Sequence, residues 1–303
     1  MAFEQKFRTA PYRQLLRSIT LKSGEQLTLA YLDSGSPDSG NIKGTILLIH
    51  GFPETSYRFR KVISPLHEAG YRVIAPDYRG AGSSSRPLTG YTKYQMAEDL
   101  HTLLQDIGIQ DKVNVVGHDI GGMIAYAYAS RYGDDVSAVI WGECPLPGTS
   151  SYEEVKGKPF MFHLLFHQIR DLPEALIAGK EREYITFFYN MEIYNTAGIT
   201  KEDVDFYTLA FRQPGAIRAG IEVYRCFEAD AKDNRGQLAS EKIKVPSMVM
   251  MGAQSEMVHL ADPRAAETCE SPTVSLVRES GHWIAEENPD GFVESVIRFL
   301  ERS

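Results

Sequence analysis

The chain has 303 residues, 43% of them hydrophobic and 24% charged, enough material for one large α/β domain or a domain carrying an insertion. With 40 acidic and 32 basic side chains the formal net charge is −8, and no basic block stands out, which excludes nucleic acid or an anionic membrane surface as the main partner. No run approaches the roughly 20 apolar residues that span a bilayer, and the opening "MAFEQKFRTAPYRQ" lacks the apolar stretch of an export signal.

In chain order, two early strands are expected, "LRSIT" and "LTLAYLD", joined by the turn signal Ser23-Gly24. After the polar loop "SGSPDSGNIKG" short apolar runs alternate with amphipathic helices. The runs are "TILLIHG", "YRVIAPD", "VNVVGHD" and "VSAVIWGE"; the helices fall at Tyr57 to Glu68, Tyr94 to Asp106 and Gly121 to Tyr132. Fully apolar strands separated by helices imply a parallel sheet buried on both faces, and ligands of such sheets sit at the carboxyl ends of the strands. The rhythm breaks at Pro145. Up to about Gln237 the segments are helical and aromatic-rich, such as "FMFHLLFHQI" and "EREYITFFYNMEIYN". Strand and helix then resume with "VPSMVMMG", "HLADPRAAETC", "TVSLVRES" and "NPDGFVESVIRFLERS". The economical reading is an α/β core over 1–146 and 238–303 with a helical cap, 147–237, inserted above the strand ends.

The segment "NVVGHDIGGM" carries the chemistry. Gly117, Asp119, Gly121 and Gly122 match small-x-nucleophile-x-small-small, the pattern of a strained strand-to-helix turn whose neighbours must lack bulk. A carboxylate holds the nucleophile's place. Aspartate is also a good helix N-cap, so the turn alone does not assign a function. A carboxylate is ionised at neutral pH, attacks sp³ carbon without a base, and leaves an ester that water can open. No Gly-x-Ser-x-Gly occurs in the chain.

As a set, "HGFPETSYRFR", "DYRGAGSS", "GHDIGG", "GECPLPG" and "ESGHWIAEENP" resemble the α/β-hydrolase fold family, in its epoxide hydrolase and dehalogenase branch, over essentially the whole chain. The resemblance implies a mostly parallel central sheet flanked by helices, with an inserted cap. It also implies that Asp119 is the nucleophile and His282 the water-activating base, with Phe52 and Ile120 supplying backbone N–H groups to an oxyanion hole. Pro53 is a candidate cis-proline. Many relatives place the acid that orients the histidine at a position filled here by Ser255. Glu143, at the end of "WGE", is the preferred substitute because a subgroup draws its acid from that strand end; Glu256 is the alternative. Two cap side chains should donate to the opening epoxide oxygen: Tyr224 in "IEVYRCF" and, where relatives have a second tyrosine, His163, with His167 a weaker candidate. Phe162, Phe166, Phe188, Tyr189 and Trp283 are expected to bind the substrate.

The expected reaction is hydrolysis of an apolar or aromatic epoxide to a vicinal diol through an alkyl-Asp119 ester, with no metal and no organic cofactor. Two other readings stay open. A dehalogenase of the same fold would use the same Asp/His pair, yet Ile120, Met123 and Leu164 occupy the places where its halide or carboxylate clamps should stand. A non-catalytic hydrolase-like binding protein would keep the cavity without the full set of reactive groups. The small-molecule substrate is the only partner expected of a monomer or homodimer. Cys144, Cys226 and Cys269 have no metal-ligand spacing, and an odd count without an export signal reads as free thiols in a reducing, cytoplasmic compartment.

Overall fold

A computed structural model of the chain describes residues 12–37 and 42–303. The export-signal reading falls largely on residues 1–11, and part of the polar loop on 38–41; both stretches lie outside the described residues. Eight strands form one sheet: β1 (Arg13–Thr20), β2 (Gln26–Asp33), β3 (Gly44–Ile49), β4 (Tyr71–Pro76), β5 (Val113–His118), β6 (Val136–Gly142), β7 (Ser247–Gly252) and β8 (Pro272–Val277). Their order is β1-β2-β4-β3-β5-β6-β7-β8. The first two strands form an antiparallel hairpin and β2 runs antiparallel to β4, whereas β4 through β8 pair in parallel. β5 and β7 are buried at every residue, which explains their mostly apolar sequences. Both outer strands, β1 and β8, expose side chains.

Helices α1 (Ile63–Glu68), α2 (Lys93–Asp106) and α3 (Ile120–Arg131) connect the parallel strands. The single helix expected from Tyr57 to Glu68 is in fact a 3-10 segment, Ser56–Lys61, followed by α1. Pro65 has no N–H to donate and fits only the first turn of an α-helix, so the α-helical part begins beside it. α3 is buried on nearly all sides, and it lies so close to the sheet that a Cβ on Gly121 would sit 2.1 Å from the carbonyl oxygen of Ile49.

Between β6 and β7 the described elements are helical: α4 (Ser150–Val155), α5 (Phe162–Phe166), α6 (Leu172–Ile177), α7 (Glu181–Glu192), α8 (Lys201–Phe211), α9 (Ala216–Arg225) and α10 (Phe227–Ser240). α10 ends at Ser240 rather than at 237. It is tied to the sheet layer through Asp230, which accepts from buried Lys93 of α2 at 2.6 Å. After β7 come α11 (Ala261–Thr268), α12 (Ile284–Glu287) and α13 (Pro289–Leu300). No helix among the described residues is long and apolar enough to cross a membrane, and all three cysteines are free thiols.

Candidate active site

Because β3, β5, β6, β7 and β8 run in parallel, their carboxyl ends meet at one edge of the sheet. β5 delivers Asp119 there in a left-handed conformation, φ 54° and ψ −125°. Few non-glycine residues hold such a backbone, and it is the strained turn that the glycine pattern predicts. The Phe52 N–H, next to a cis Phe52-Pro53 bond, donates to Asp119 Oδ2 at 2.8 Å. The Ile120 N–H faces the same carboxylate. Burial raises the Asp119 carboxyl above its ordinary range, while the charge of His282 and these two N–H groups pull it back down.

β6 ends at Gly142, and Glu143 follows at φ 53°. Its carboxylate is fully buried and accepts three hydrogen bonds: Oε1 from the Gly252 N–H at 2.7 Å, and Oε2 from Ser255 Oγ at 2.8 Å and His282 Nδ1 at 3.2 Å. Ser255, at the position where relatives are expected to place their acid, therefore donates to the glutamate expected in its stead. Glu256, the alternative, is exposed; it follows the turn after β7 and makes no hydrogen bond or ion pair with His282 among the described residues. Burial alone would lower the His282 imidazole. The charge of Glu192, the bond to Glu143 and the charge of Asp119 outweigh it and hold the group up at about 10.

The helical segment closes over this edge. One cavity of about 20 Å³ brings Asp119, Glu143, His282, His163 and Tyr224 together, and that space holds about one water. The His163 and Tyr224 rings meet edge to face at 5.6 Å. Burial lowers His163 to about 3, so its imidazole is neutral, and its Nδ1 is buried with no hydrogen-bond partner among the described residues. Burial, with the charge of Asp119, raises the Tyr224 phenol well above its ordinary value. His167 packs against Tyr224 at 4.5 Å but does not line the cavity, and its Nε2 is bonded to Tyr184 Oη.

Of the five expected binding residues, only Phe188 lines this cavity; Phe162, Phe166, Tyr189 and Trp283 do not. α5 is only five residues long, and it turns His163 and Leu164 inward, which leaves Phe162 and Phe166 on the opposite side of the helix. Phe162 stacks behind Phe188, and Phe166 lines a separate surface hollow. Tyr189, one residue on from Phe188, points into the core and donates to the Pro53 carbonyl at 3.0 Å. Trp283 is wholly buried behind His282, their rings 4.5 Å apart. In place of these four, Met123, Met161, Leu164, Met257 and Pro145 supply apolar wall.

Several supporting residues carry no assignment from the motifs. Glu54 and Arg58, an i,i+4 pair in "HGFPETSYRFR", are fully buried and bonded to each other. Arg58 also donates to His118 Nδ1, and His118 Nε2–H donates to the His282 carbonyl at 2.6 Å. The residue before Asp119 is thereby tied to the loop of the expected base. Glu287, in "EENP", accepts from the N–H groups of Tyr194, Asn195, Gly281 and Trp283, which pins that loop to the end of α7. Their presence inside quoted motifs was the available signal. Glu192, beside His282, lies in none of those motifs.

A buried carboxylate in a strained strand-to-helix turn, a backbone N–H on it and a buried glutamate–histidine pair at the carboxyl edge of such a sheet define a class. The chain belongs to the α/β hydrolase fold family, whose model matches residues 44–289. Within that family it is similar to a soluble epoxide hydrolase of Corynebacterium sp., 31% identical over 263 residues and covering 84% of this chain and 89% of that protein. Among solved structures it resembles Cfl2 from Burkholderia cenocepacia, at 31% identity and a TM-score of 0.86, covering 96% of this chain and 100% of that one. It also resembles the epoxide hydrolase CorEH, at 26% identity and a TM-score of 0.83, covering 96% and 99%.

Proposed function

We propose that the chain hydrolyses an apolar or aromatic epoxide to a vicinal diol through a covalent ester of Asp119. The observation that carries this reading is a juxtaposition. One enclosed cavity holds a carboxylate in a nucleophile turn, a neutral imidazole and a protonated phenol, beside a base already bonded to its acid.

In the first step the Asp119 oxygen not held by Phe52 attacks an epoxide carbon. The Asp119–carbon bond forms, the ring C–O bond breaks, and the oxygen takes its proton from Tyr224 while the neutral His163 ring donates a hydrogen bond to it. An unpaired buried ring nitrogen is uncommon in a folded interior, which supports His163 as a donor held for a substrate atom. Esterification also removes the charge on Asp119, one of those that hold His282 protonated, and so shifts the imidazole toward its neutral form. In the second step His282, oriented by Glu143, takes a proton from water as the water oxygen attacks the ester carbon. The N–H groups of Phe52 and Ile120 then stabilise the oxyanion. Ile120, Met123 and Leu164 line the wall with apolar side chains, which suits an uncharged epoxide better than a haloacid carboxylate. In this reading the helical segment is a cap that excludes water from the first step.

Heavy-oxygen water tests it. After several turnovers of styrene oxide, one oxygen of Asp119 should carry the label, because the ester is opened at its carbonyl carbon. Diol formation with the label absent from Asp119 refutes the covalent route, and absence of diol refutes the activity.

A further inference from the structure

The enclosed cavity is not the only space beside His282. A neighbouring cleft of about 170 Å³ also reaches the imidazole, and Glu192, Met257 and His282 wall both spaces. Glu192 is the last residue of α7. Its backbone carbonyl accepts the His282 N–H at 3.1 Å, and the chains lie so close that a Cβ on Gly281 would sit 2.7 Å from that oxygen. Its side chain is 14% exposed and places Oε2 3.8 Å from His282 Nε2. That gap is too long for a direct bond, but a water seated beside the pair reaches both atoms with ordinary bonds of about 2.8 Å. Nδ1 is already bonded to Glu143, so Nε2 is the nitrogen left to receive a proton.

We infer that Glu192 is a positioning residue of the second half-reaction: its carboxylate holds the hydrolytic water against Nε2 of His282 and tunes that imidazole as a base. The inference rests on the ester mechanism above. Water would arrive from the cleft, past Glu192, and not through the substrate's side of the cavity. Its oxygen bonds to the ester carbon and one proton passes to Nε2. When the bond to the alcohol oxygen breaks, that proton leaves with the alcohol, and the second, released as Asp119 re-ionises, restores the Tyr224 phenol that protonated the epoxide oxygen.

The electrostatics agree with the geometry. Burial pushes the Glu192 carboxyl up to about 7, against the pull of His282 and with the push of Asp119 and Glu143. The other titratable groups facing the pair are Glu54, His118, His163 and Tyr224, with Tyr194 and Glu256 on the cleft wall, and Arg58 lies behind Glu54. An ionised Glu192 favours the imidazolium. Removing its charge frees the base at lower pH.

Single-turnover rapid quench with styrene oxide, followed by intact mass across pH, separates ester formation from ester hydrolysis. Glu192→Gln keeps an acceptor oxygen and loses the charge. The midpoint of its hydrolysis limb should move to lower pH by about one unit or more. Glu192→Leu loses the acceptor as well, so hydrolysis at the plateau should fall at least about tenfold and the ester should accumulate. In both variants ester formation should stay within about threefold of the parent. Variants that form ester normally and hydrolyse it with the parent's limb and plateau overturn the inference. A parallel fall in both half-reactions also overturns it, since that marks a purely structural residue. A parent enzyme that forms no ester overturns the ester mechanism instead, so the two failures are distinguishable.

Discussion

Glu143→Gln tests the acid assignment and the separation of the two half-reactions together. The carboxylate is fully buried and accepts at both oxygens, from Gly252 N–H on one and from Ser255 Oγ–H and His282 Nδ1–H on the other. An amide has only one acceptor oxygen. With that oxygen toward Ser255 and His282, its NH₂ opposes the Gly252 N–H; turned over, it opposes two donors. The first arrangement is the less costly, and one buried unpaired N–H costs about 1–3 kcal/mol of stability. In either arrangement the negative charge beside Nδ1 is gone, and the imidazolium formed in ester hydrolysis loses its partner. Hydrolysis should slow roughly a hundredfold to ten-thousandfold, the usual weight of a positioned general base, while ester formation stays within about threefold. Glu256→Gln, at an exposed site, should shift stability by no more than about 0.5 kcal/mol and leave both rates unchanged. Intact mass after mixing with excess styrene oxide reads the ester directly. Trp283, with its ring 4.5 Å from that of His282, provides a fluorescence signal for the same event. A Glu143→Gln enzyme that turns over normally while Glu256→Gln fails would move the acid to Glu256. Loss of ester formation in Glu143→Gln, in step with hydrolysis, would refute the separation of roles.

Tyr224→Phe and His163→Phe should each slow ester formation by roughly a hundredfold and spare hydrolysis of preformed ester, with the double variant worse than either; single-turnover quench decides, and unchanged rates in both remove the donor pair. The two half-reactions should also have separate pH limbs. Ester formation needs ionised Asp119, whose pKa burial raises, so it rises through a midpoint above the ordinary value of about 3.9. Hydrolysis needs neutral His282, held protonated up to about 10 before Asp119 is esterified. Its rate should rise with pH through the higher midpoint of the two, and below 10, because the ester has lost the Asp119 charge. Hydrolysis that falls with rising pH in the same quench series would contradict this sign.

The parts of the site legible in the sequence are those that local backbone geometry dictates. A residue at positive φ between a strand and a tightly packed helix needs glycine around it, so Gly117, Gly121 and Gly122 single out Asp119 without reference to anything distant. His282 is marked by its place in a motif after the last strand. The alternation of apolar runs and helices likewise identifies the sheet, because burial on both faces favours apolar residues in β5 and β7. Facing was not legible in the short helices. Phe162, Phe166 and Phe188 look alike as sequence, and only the length and orientation of α5 and α7 separate the one that meets the cavity from the two that do not.

What the sequence by itself determined is therefore the backbone at one strand end: an aspartate in a strained strand-to-helix turn, a late histidine, and the sheet that carries them. What the tertiary structure decided is partnership across long gaps in the chain. Glu143 reaches His282 because β6, β7 and β8 lie side by side, and this adjacency makes Ser255 a hydrogen-bond donor to the same carboxylate. Glu192 stands at Nε2 because α7 ends against the loop of His282, some ninety residues away along the chain. Hydrogen bonds and charge interactions act over a few ångströms of space, whichever residues the fold brings there.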